Sequence, residues 1–549
     1  MSKPTPIKGA EKLSSKWHLT EDLGGYDMPI RLEGEIGDVM VRGTIPNTID
    51  GTFYRVAQDH FTPPTQGHLP LRGHGVVSAF RIHNGQVDFK IRYVQNDRYK
   101  LERSRKKSLW ADIIDHPLSQ HPCVRAVLDV TSNTNVIYWA GKLLALQEAG
   151  PAYSMDPDTL ETTGNDPFGN QIITPAFTAH PKIDPHTDEL VTWGLDHTRM
   201  ELVSYSIDRQ GTVKNEHRIC RSGQGLVHDI AMTENWIVFC QWPTSYNADG
   251  KPGETTVVWD LSQPAVFIVS PRRPDRPLEG SGWKPYEHRT YSYHLHSEIV
   301  HTAGAWEEGG KIYFEGTWPH DTLFPFWTRS DRTAAPEKTV VDLVRLEIDP
   351  NQPTDTEIPD PVVLVDIPNE FPRIDERFHC KKYDHIFMNV YYSETEKSLI
   401  NKHVFEGLTA TAMLIKSTGE LKIYYPGPQC RCQEPLFIPR SDDAPEGDGY
   451  VIFAVDRLDI NLTNVVILDT KDFEHPVAVI ELPIRMRAQI HGNWVDAREL
   501  NGKPLVVDPP LNHMSWRHNA APPPAPISKT GSQKTPEQVV IKSEVKGVA

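Results

Sequence analysis

Three segments of the chain repeat one plan: a histidine, an odd number of mostly turn-forming residues, then a run of strand formers. In AHPKIDPHTDELVTWG, nine residues separate His180 from Leu190; in VHDIAMTENWIVFC, seven separate His228 from Trp236; in VHTAGAWEEGGKIYFEG, nine separate His301 from Lys311. Side chains alternate along a strand, so an odd gap keeps parity between copies. Each histidine therefore holds the same place relative to its own strand. A fourth, His491 in IHGNWVD, follows the alternating segment VAVIELPIRM but does not copy the downstream half. A single histidine at a strand mouth is ordinarily a hydrogen-bonded core or rim imidazole. With 24 histidines in the chain, their number decides nothing and the recurrence decides a good deal.

The remainder reads as strand after strand. NVIYWAGKLLALQEAGPAYSMDPDTLETTG is four short runs split by Ala-Gly-Lys, Ala-Gly-Pro and Asp-Pro-Asp turns, an antiparallel meander. DELVTWGLDHTRMELVSYSIDRQGTVKNEHRI repeats the plan around Asp-Arg-Gln-Gly, and NVVILDTKDFEHPVAVIEL does so late in the chain. Helical periodicity is scarce; short helices are expected only near 97–116 and 371–378. Repeated four-stranded meanders over this length predict an all-β fold and a β-propeller, ahead of a pair of β-sandwiches. In a propeller the innermost strand of each blade faces the axis. Histidines at matching places in successive blades would converge there.

Nothing between Ser15 and Ala520 reads as a linker, so residues 16–519 are expected to form a single domain. The polar segment 1–15 and the Pro/Lys/Ser-rich segment 520–549 read as disordered tails. A net charge of −16 argues against a nucleic-acid partner, and the basic run RSRKK at 103–107 reads as solvated charge. No segment approaches the roughly 18 apolar residues of a membrane span, and no apolar signal core opens the chain. The six cysteines form no Cys-x-x-Cys pair, and Cys430-Arg-Cys432 is too tight for an ordinary disulfide. Reduced thiols in a cytoplasmic protein are the expectation.

Neutral imidazole is the commonest protein ligand for zinc, copper and non-haem iron. Zinc closes at four protein ligands in structural sites and takes three in catalytic ones. Four histidines with positions left open suit iron(II) better.

The segments FTAHPKIDP, GLVHDIAMTENWIVF, VHTAGAWEEGGKIYFEG, EPLFIPR…EGDGYVIF and IHGNWVD, in this order and spacing, resemble the carotenoid cleavage oxygenases, in the branch with lignostilbene and resveratrol dioxygenases. RGHGVVSAFRIHNGQVDFKIRYV fits the family's early region, and the resemblance runs from about Leu32 to Val495. It implies a seven-bladed β-propeller with a loop and helix cap over one face. It implies Fe(2+) held by His180, His228, His301 and His491. Glu148, Glu370 and Glu434 would orient His228, His301 and His491, and His180 would have no such partner. The implied reaction uses O2 to split a conjugated carbon–carbon double bond of an apolar stilbene-like, styrene-like or apocarotenoid substrate into two carbonyl products. Peripheral membrane contact at the tunnel mouth belongs to the same expectation.

Two departures stand out. Gly304-Ala305 replaces the family's Asn-Ala after the third histidine, which predicts a local backbone change without loss of the ligand. Gln147 stands where stilbene-cleaving members often carry a lysine that meets the substrate's phenol, and Ile114 occupies the place of its partner tyrosine. Trp306 is the expected aromatic wall near the cavity, and the His294/His296 pair reads as structural or channel-lining. Two alternatives remain open: a metal-dependent polyene isomerase or hydrolase of the same family, and a propeller that binds partners without chemistry.

Overall fold

The computed structural model describes residues 17, 23–64, 70–110, 120–125, 127–196, 199, 201–220, 225–247, 257–276, 278–324, 327–333, 338–392, 399–400 and 408–500. The two expected tails lie outside them. Among the described residues the chain is nearly all β, in seven sheets of four to six strands and two smaller ones. It holds one α-helix, Asp97–Arg105. No helix among them is long and apolar enough to cross a membrane.

The sheets follow one another along the chain. Sheet II (Asn135–Trp139, Lys142–Leu146, Tyr153–Met155, Thr162–Gly164) and sheet III (Lys182–Asp184, Glu189–Asp196, Glu201–Asp208, Val213–Cys220) are the meanders expected from the turn signals. Sheet IV begins Val227–Met232, Trp236–Gln241; sheet V begins Thr302–Glu308, Lys311–Pro319; sheet VI begins Asn369–Arg373, His385–Val390. Sheets I and VII close the molecule on itself. The late strand Gln489–Asp496 pairs with Gly51–Asp59 in sheet I, while the early strand Met40–Gly43 pairs with Asp472–Glu481 in sheet VII. Each end of the fold is thus stitched into the other end's sheet.

Burial explains why the strands differ in pattern. Trp236–Gln241 (WIVFCQ) is buried at every residue, because neighbouring sheets cover both faces. Val213–Cys220 (VKNEHRIC) lies at the edge of its sheet and alternates exposed and buried side chains after its first residues. Its hairpin turn is built by Asp208, whose Oδ1 accepts from the N–H groups of Gln210 and Thr212 at 3.0 and 2.8 Å, and by Gly211 at φ +81°.

The helix expectations are corrected. Asp97–Arg105 is capped by Asn96, whose Oδ1 accepts from Tyr99 N–H at 2.8 Å, and ends at left-handed Lys106. Residues 111–116 of the expected stretch lie outside the described residues. At 371–378 the chain starts as strand Asn369–Arg373 and turns 3-10 only at Glu376–Phe378. Pairing with His385–Val390 outweighs local preference there.

Candidate metal centre

His180 lies two residues before the first strand of sheet III, His228 lies in the first strand of sheet IV, His301 immediately precedes that of sheet V, and His491 sits in the strand that closes sheet I. The backbone is bulged at three of these places. Register shifts fall between Val227 and Ile230, between Thr302 and Gly304, and opposite His491 between Arg55 and Ala57. Bulges cluster beside active sites because an extra residue re-aims a side chain without ending the sheet. A register shift does fall at Gly304, as it does beside His228, where the sequence shows no such departure. A Cβ at Gly304 would lie 2.6 Å from the Tyr383 ring.

The four imidazoles converge. Ring centroids are 4.4 Å apart for His180–His228, 4.7 Å for His180–His491, 4.8 Å for His301–His491 and 5.2 Å for His228–His301. Three of them turn their outer nitrogen to a carboxylate: His228 Nδ1 to Glu148 Oε1 at 2.5 Å, His301 Nδ1 to Glu370 Oε2 at 2.6 Å, and His491 Nδ1 to Glu434 Oε1 at 2.9 Å. An Nδ1–H donated outward leaves Nε2 as a bare lone pair facing inward. His228 Nε2 and His301 Nε2 stand 3.3 Å apart, and His180 Nε2 and His491 Nε2 are buried with no hydrogen-bond partner. Buried nitrogen lone pairs left unpaired are rare. His180 and His491 hold two of them beside the inward-facing rings of His228 and His301, and this donor set fits a metal ion.

The electrostatics keep the donors available. Burial, then the three neighbouring imidazoles, hold His180 well below the ordinary histidine range. Burial lowers His491 to about 4 against the pull of Glu434. Burial also works against the proton on His301, but Glu370 overrides it and raises the group. Burial raises the Glu434 carboxyl, yet His491, Arg373 and Arg55 together carry it far below the usual carboxylate range.

Several residues of the site gave no local signal in the sequence. Asp229 ties three sheets together: its Oδ2 accepts from Thr302 N–H at 2.7 Å and Thr302 Oγ1 at 2.9 Å, and its Oδ1 pairs with Lys182 Nζ at 2.8 Å. Phe371 adopts φ +56°, a strained conformation for an aromatic residue, and packs 5.3 Å from the His301 ring and 5.4 Å from His491. Trp242 stands 5.3 Å from His228 and opens an apolar cluster with Phe324, Phe371, Val300 and Ile490. Arg55, fully buried, meets Glu434 at 3.1 Å.

Trp306 is corrected. Five residues of extended chain carry it about 16 Å along the strand from His301, where it stacks on Tyr313 at 5.5 Å and meets Tyr383 edge-on in the core between sheets V and VI. Gln147 lies beside Glu148 with its Oε1 accepting from Thr131 N–H at 2.7 Å. Ile114 lies outside the described residues. His294 is exposed and pairs with Glu357 at 2.6 Å.

A nearly all-β chain that folds back on its own first sheet around inward-facing imidazoles defines a metal-dependent protein of the propeller class. Residues 28–496 match the family described as RPE65, retinal pigment epithelial membrane protein. The chain is 44% identical over 520 residues to resveratrol cleavage oxygenase 1 of Botryotinia fuckeliana, covering 92% of both chains. It is 34% identical to isoeugenol monooxygenase of Pseudomonas nitroreducens, over 86% of this chain and 97% of that one. Among solved structures it matches Pseudomonas brassicacearum lignostilbene dioxygenase with a TM-score of 0.80 and 32% identity, over 87% of this chain and 99% of that one. The chain belongs to the carotenoid oxygenase family and is an enzyme of its cleavage-oxygenase type.

Proposed function

We propose that this protein is a non-haem iron(II) dioxygenase that cleaves the conjugated double bond of a stilbene-like or styrene-like aromatic to two carbonyl products. The observation that carries the reading is the convergence of four imidazoles, three of them oriented by carboxylates on Nδ1. Iron(II) bound there supplies reducing power toward O2, and the alkene provides the electrons of the net reaction. The chain's residues do the rest. Glu148, Glu370 and Glu434 fix ring orientation and basicity. The wall of Trp242, Phe324 and Phe371 suits a long apolar substrate and excludes water from the reacting bond. Identity of 44% with a resveratrol cleavage oxygenase, against 33% with a carotenoid cleavage oxygenase, supports an aromatic substrate over a carotenoid.

The seven sheets correspond, in this reading, to seven blades, and helix Asp97–Arg105 with the small sheet Thr244–Tyr246, Val257–Trp259, Thr328–Arg329 to the cap. Six free cysteines support a cytoplasmic setting. Peripheral contact with a membrane at the tunnel mouth belongs to the same proposal.

The test is metal analysis with aerobic incubation on resveratrol, isoeugenol and an apocarotenal, products being read by mass under 18O2. One iron per chain and two aldehyde fragments, each able to carry label from the gas, are expected. His228→Ala is expected to lose most of the iron and all cleavage. An isomerised or hydrolysed product without label would replace this reading with an isomerase or hydrolase, and an alanine variant with full iron and turnover would remove His228 from the site.

A further inference from the structure

A cavity of about 70 Å³ reaches the imidazoles from a second direction. It touches His180, His301 and His491 but not His228, Trp242 or Phe324, and it shares only Phe371 with the apolar wall. Its lining is mixed, but beside Ile137, Ile183 and Ile374 it carries a run of polar and charged groups: Lys182, Asp229, Arg373, Glu376, His379 and Asn493. The cations are already engaged. Lys182 Nζ lies 2.8 Å from Asp229, and Arg373 pairs with Glu434 at 3.2 Å and with Glu376. His379 is different. Its carbonyl accepts from His186 at 3.1 Å, but its half-buried imidazole has no hydrogen-bond partner among the described residues. Three positions earlier in the chain Glu376 is exposed. An uncommitted imidazole and a carboxylate thus line one passage whose inner end is three buried imidazoles.

A divalent metal ion arrives hydrated and must exchange waters for protein donors step by step. The wall of Trp242, Phe324 and Phe371 offers carbon to such an ion, and stripping a charge of water without replacement donors is costly. O2 is apolar and gains nothing from a charged lining. The polar passage offers nitrogen and oxygen in sequence. Building on the four-histidine reading, we infer that this cavity is the route by which the metal ion enters, with Glu376 and His379 as transient ligands on the way to His180, His301 and His491.

A transient ligand lowers a barrier and leaves the end state alone. Removing it must therefore slow entry and exit by the same factor. The experiment uses the full chain stripped of metal by a chelator, mixed with Co2+, with uptake followed by the cobalt d–d absorption and release by transfer to excess chelator. For His379→Ala both rates are expected to fall by roughly tenfold while their ratio, the Kd, moves by less than about twofold; clefts lined by one sign of charge change on-rates by about 10- to 1,000-fold, and a single donor in a cleft of mixed sign is set at the low end. Glu376→Gln is expected to slow both rates by a smaller factor. Thermal melts of the native and variant proteins check that each is folded. Native uptake and release rates in both folded variants overturn the inference, and so does a faster release with unchanged uptake, which marks a merely structural role. If the native protein takes up no cobalt at all, the four-histidine reading fails and this inference falls with it.

Discussion

Glu434 and Glu148 do the same job on opposite sides of the metal centre, in very different surroundings. Glu434 is buried, and four donors fill its two oxygens: His491 and Arg373 on Oε1 at 2.9 and 3.2 Å, Arg55 and Gly492 N–H on Oε2 at 3.1 and 3.0 Å. Glu148 is about a third exposed, meets His228 at 2.5 Å, and has no lysine or arginine at ion-pair distance among the described residues. The arginines explain the difference. Arg55 lies in the strand that pairs with the closing strand Gln489–Asp496, and its Nη2 also donates to the carbonyls of Gln489 and Ile490 at 3.3 and 3.2 Å. Glu434 follows Cys430–Cys432 of sheet VII. One carboxylate therefore orients a ligand and also pins the last sheet to the first. Glu148 orients a ligand and has no second side-chain partner among the described residues.

Glu434→Gln breaks the comparison most severely. The amide removes the carboxylate paired with the fully buried Arg55 and one of the two paired with Arg373, and breaking a buried pair typically costs about 3–5 kcal/mol. Stability in denaturant melts of the metal-free protein is expected to fall by that order. A metal-free variant as stable as the native protein would show that Arg55 and Arg373 are satisfied without Glu434.

This closed side was also the least legible part of the sequence. His180, His228, His301 and their strands could be read because their spacing is local and repeats. Glu434 came from family resemblance, and nothing near Arg55 announces a partner 379 positions away. Asp229 is adjacent to His228 in the chain, yet its role depends on Thr302 and Lys182 from two other sheets. The meanders of sheets II and III could be read from turn residues. The exchange of strands between sheets I and VII could not, because Met40–Gly43 and Gln489–Asp496 look like any other strands until paired. Trp306 misled because proximity in sequence to His301 was taken for proximity in space, whereas an extended strand moves away by about 3.3 Å per residue.

The second prediction grades the three glutamates. Glu370 is buried like Glu434 but is satisfied by neutral groups besides His301: Thr317 Oγ1 at 2.7 Å and Phe371 N–H at 2.5 Å. An amide in its place would set an NH2 donor against one of these. Glu370→Gln is expected to lose about 10- to 100-fold in metal affinity and about 1–3 kcal/mol of stability. Glu148→Gln is expected to lose metal affinity by a similar factor, roughly 10- to 100-fold, with stability within about 0.5 kcal/mol of native. Titration with Co2+ and melts of the metal-free protein separate the two effects. Equal stability losses in the two variants would erase the distinction between closed and open sides.

The smallest effect expected concerns substrate choice on the open side, where Gln147 precedes Glu148. Its Oε1 is committed to Thr131 N–H at 2.7 Å, so only its NH2 end is left to meet a substrate hydroxyl. Hydrogen bonds to charged groups contribute about 1.5–3 kcal/mol against about 0.5–1.5 for neutral ones, a gap of roughly tenfold in kcat/KM. The native enzyme is therefore expected to discriminate weakly between 4-hydroxystilbene and its 4-methoxy analogue. Gln147→Lys supplies the charge but not an acceptor for Thr131 N–H, and orphaning that buried amide costs about 1–3 kcal/mol. The lysine alone is expected to destabilise the protein and shift selectivity little. Joined with Ile114→Tyr, which supplies a second phenol contact, it is expected to move the kcat/KM ratio roughly tenfold toward the free phenol. Measuring that ratio for the native protein, the single variant and the pair decides the matter. A native preference of roughly a hundredfold for the phenol exceeds what one neutral hydrogen bond can supply, and would place a charged phenol-binding group elsewhere in the chamber.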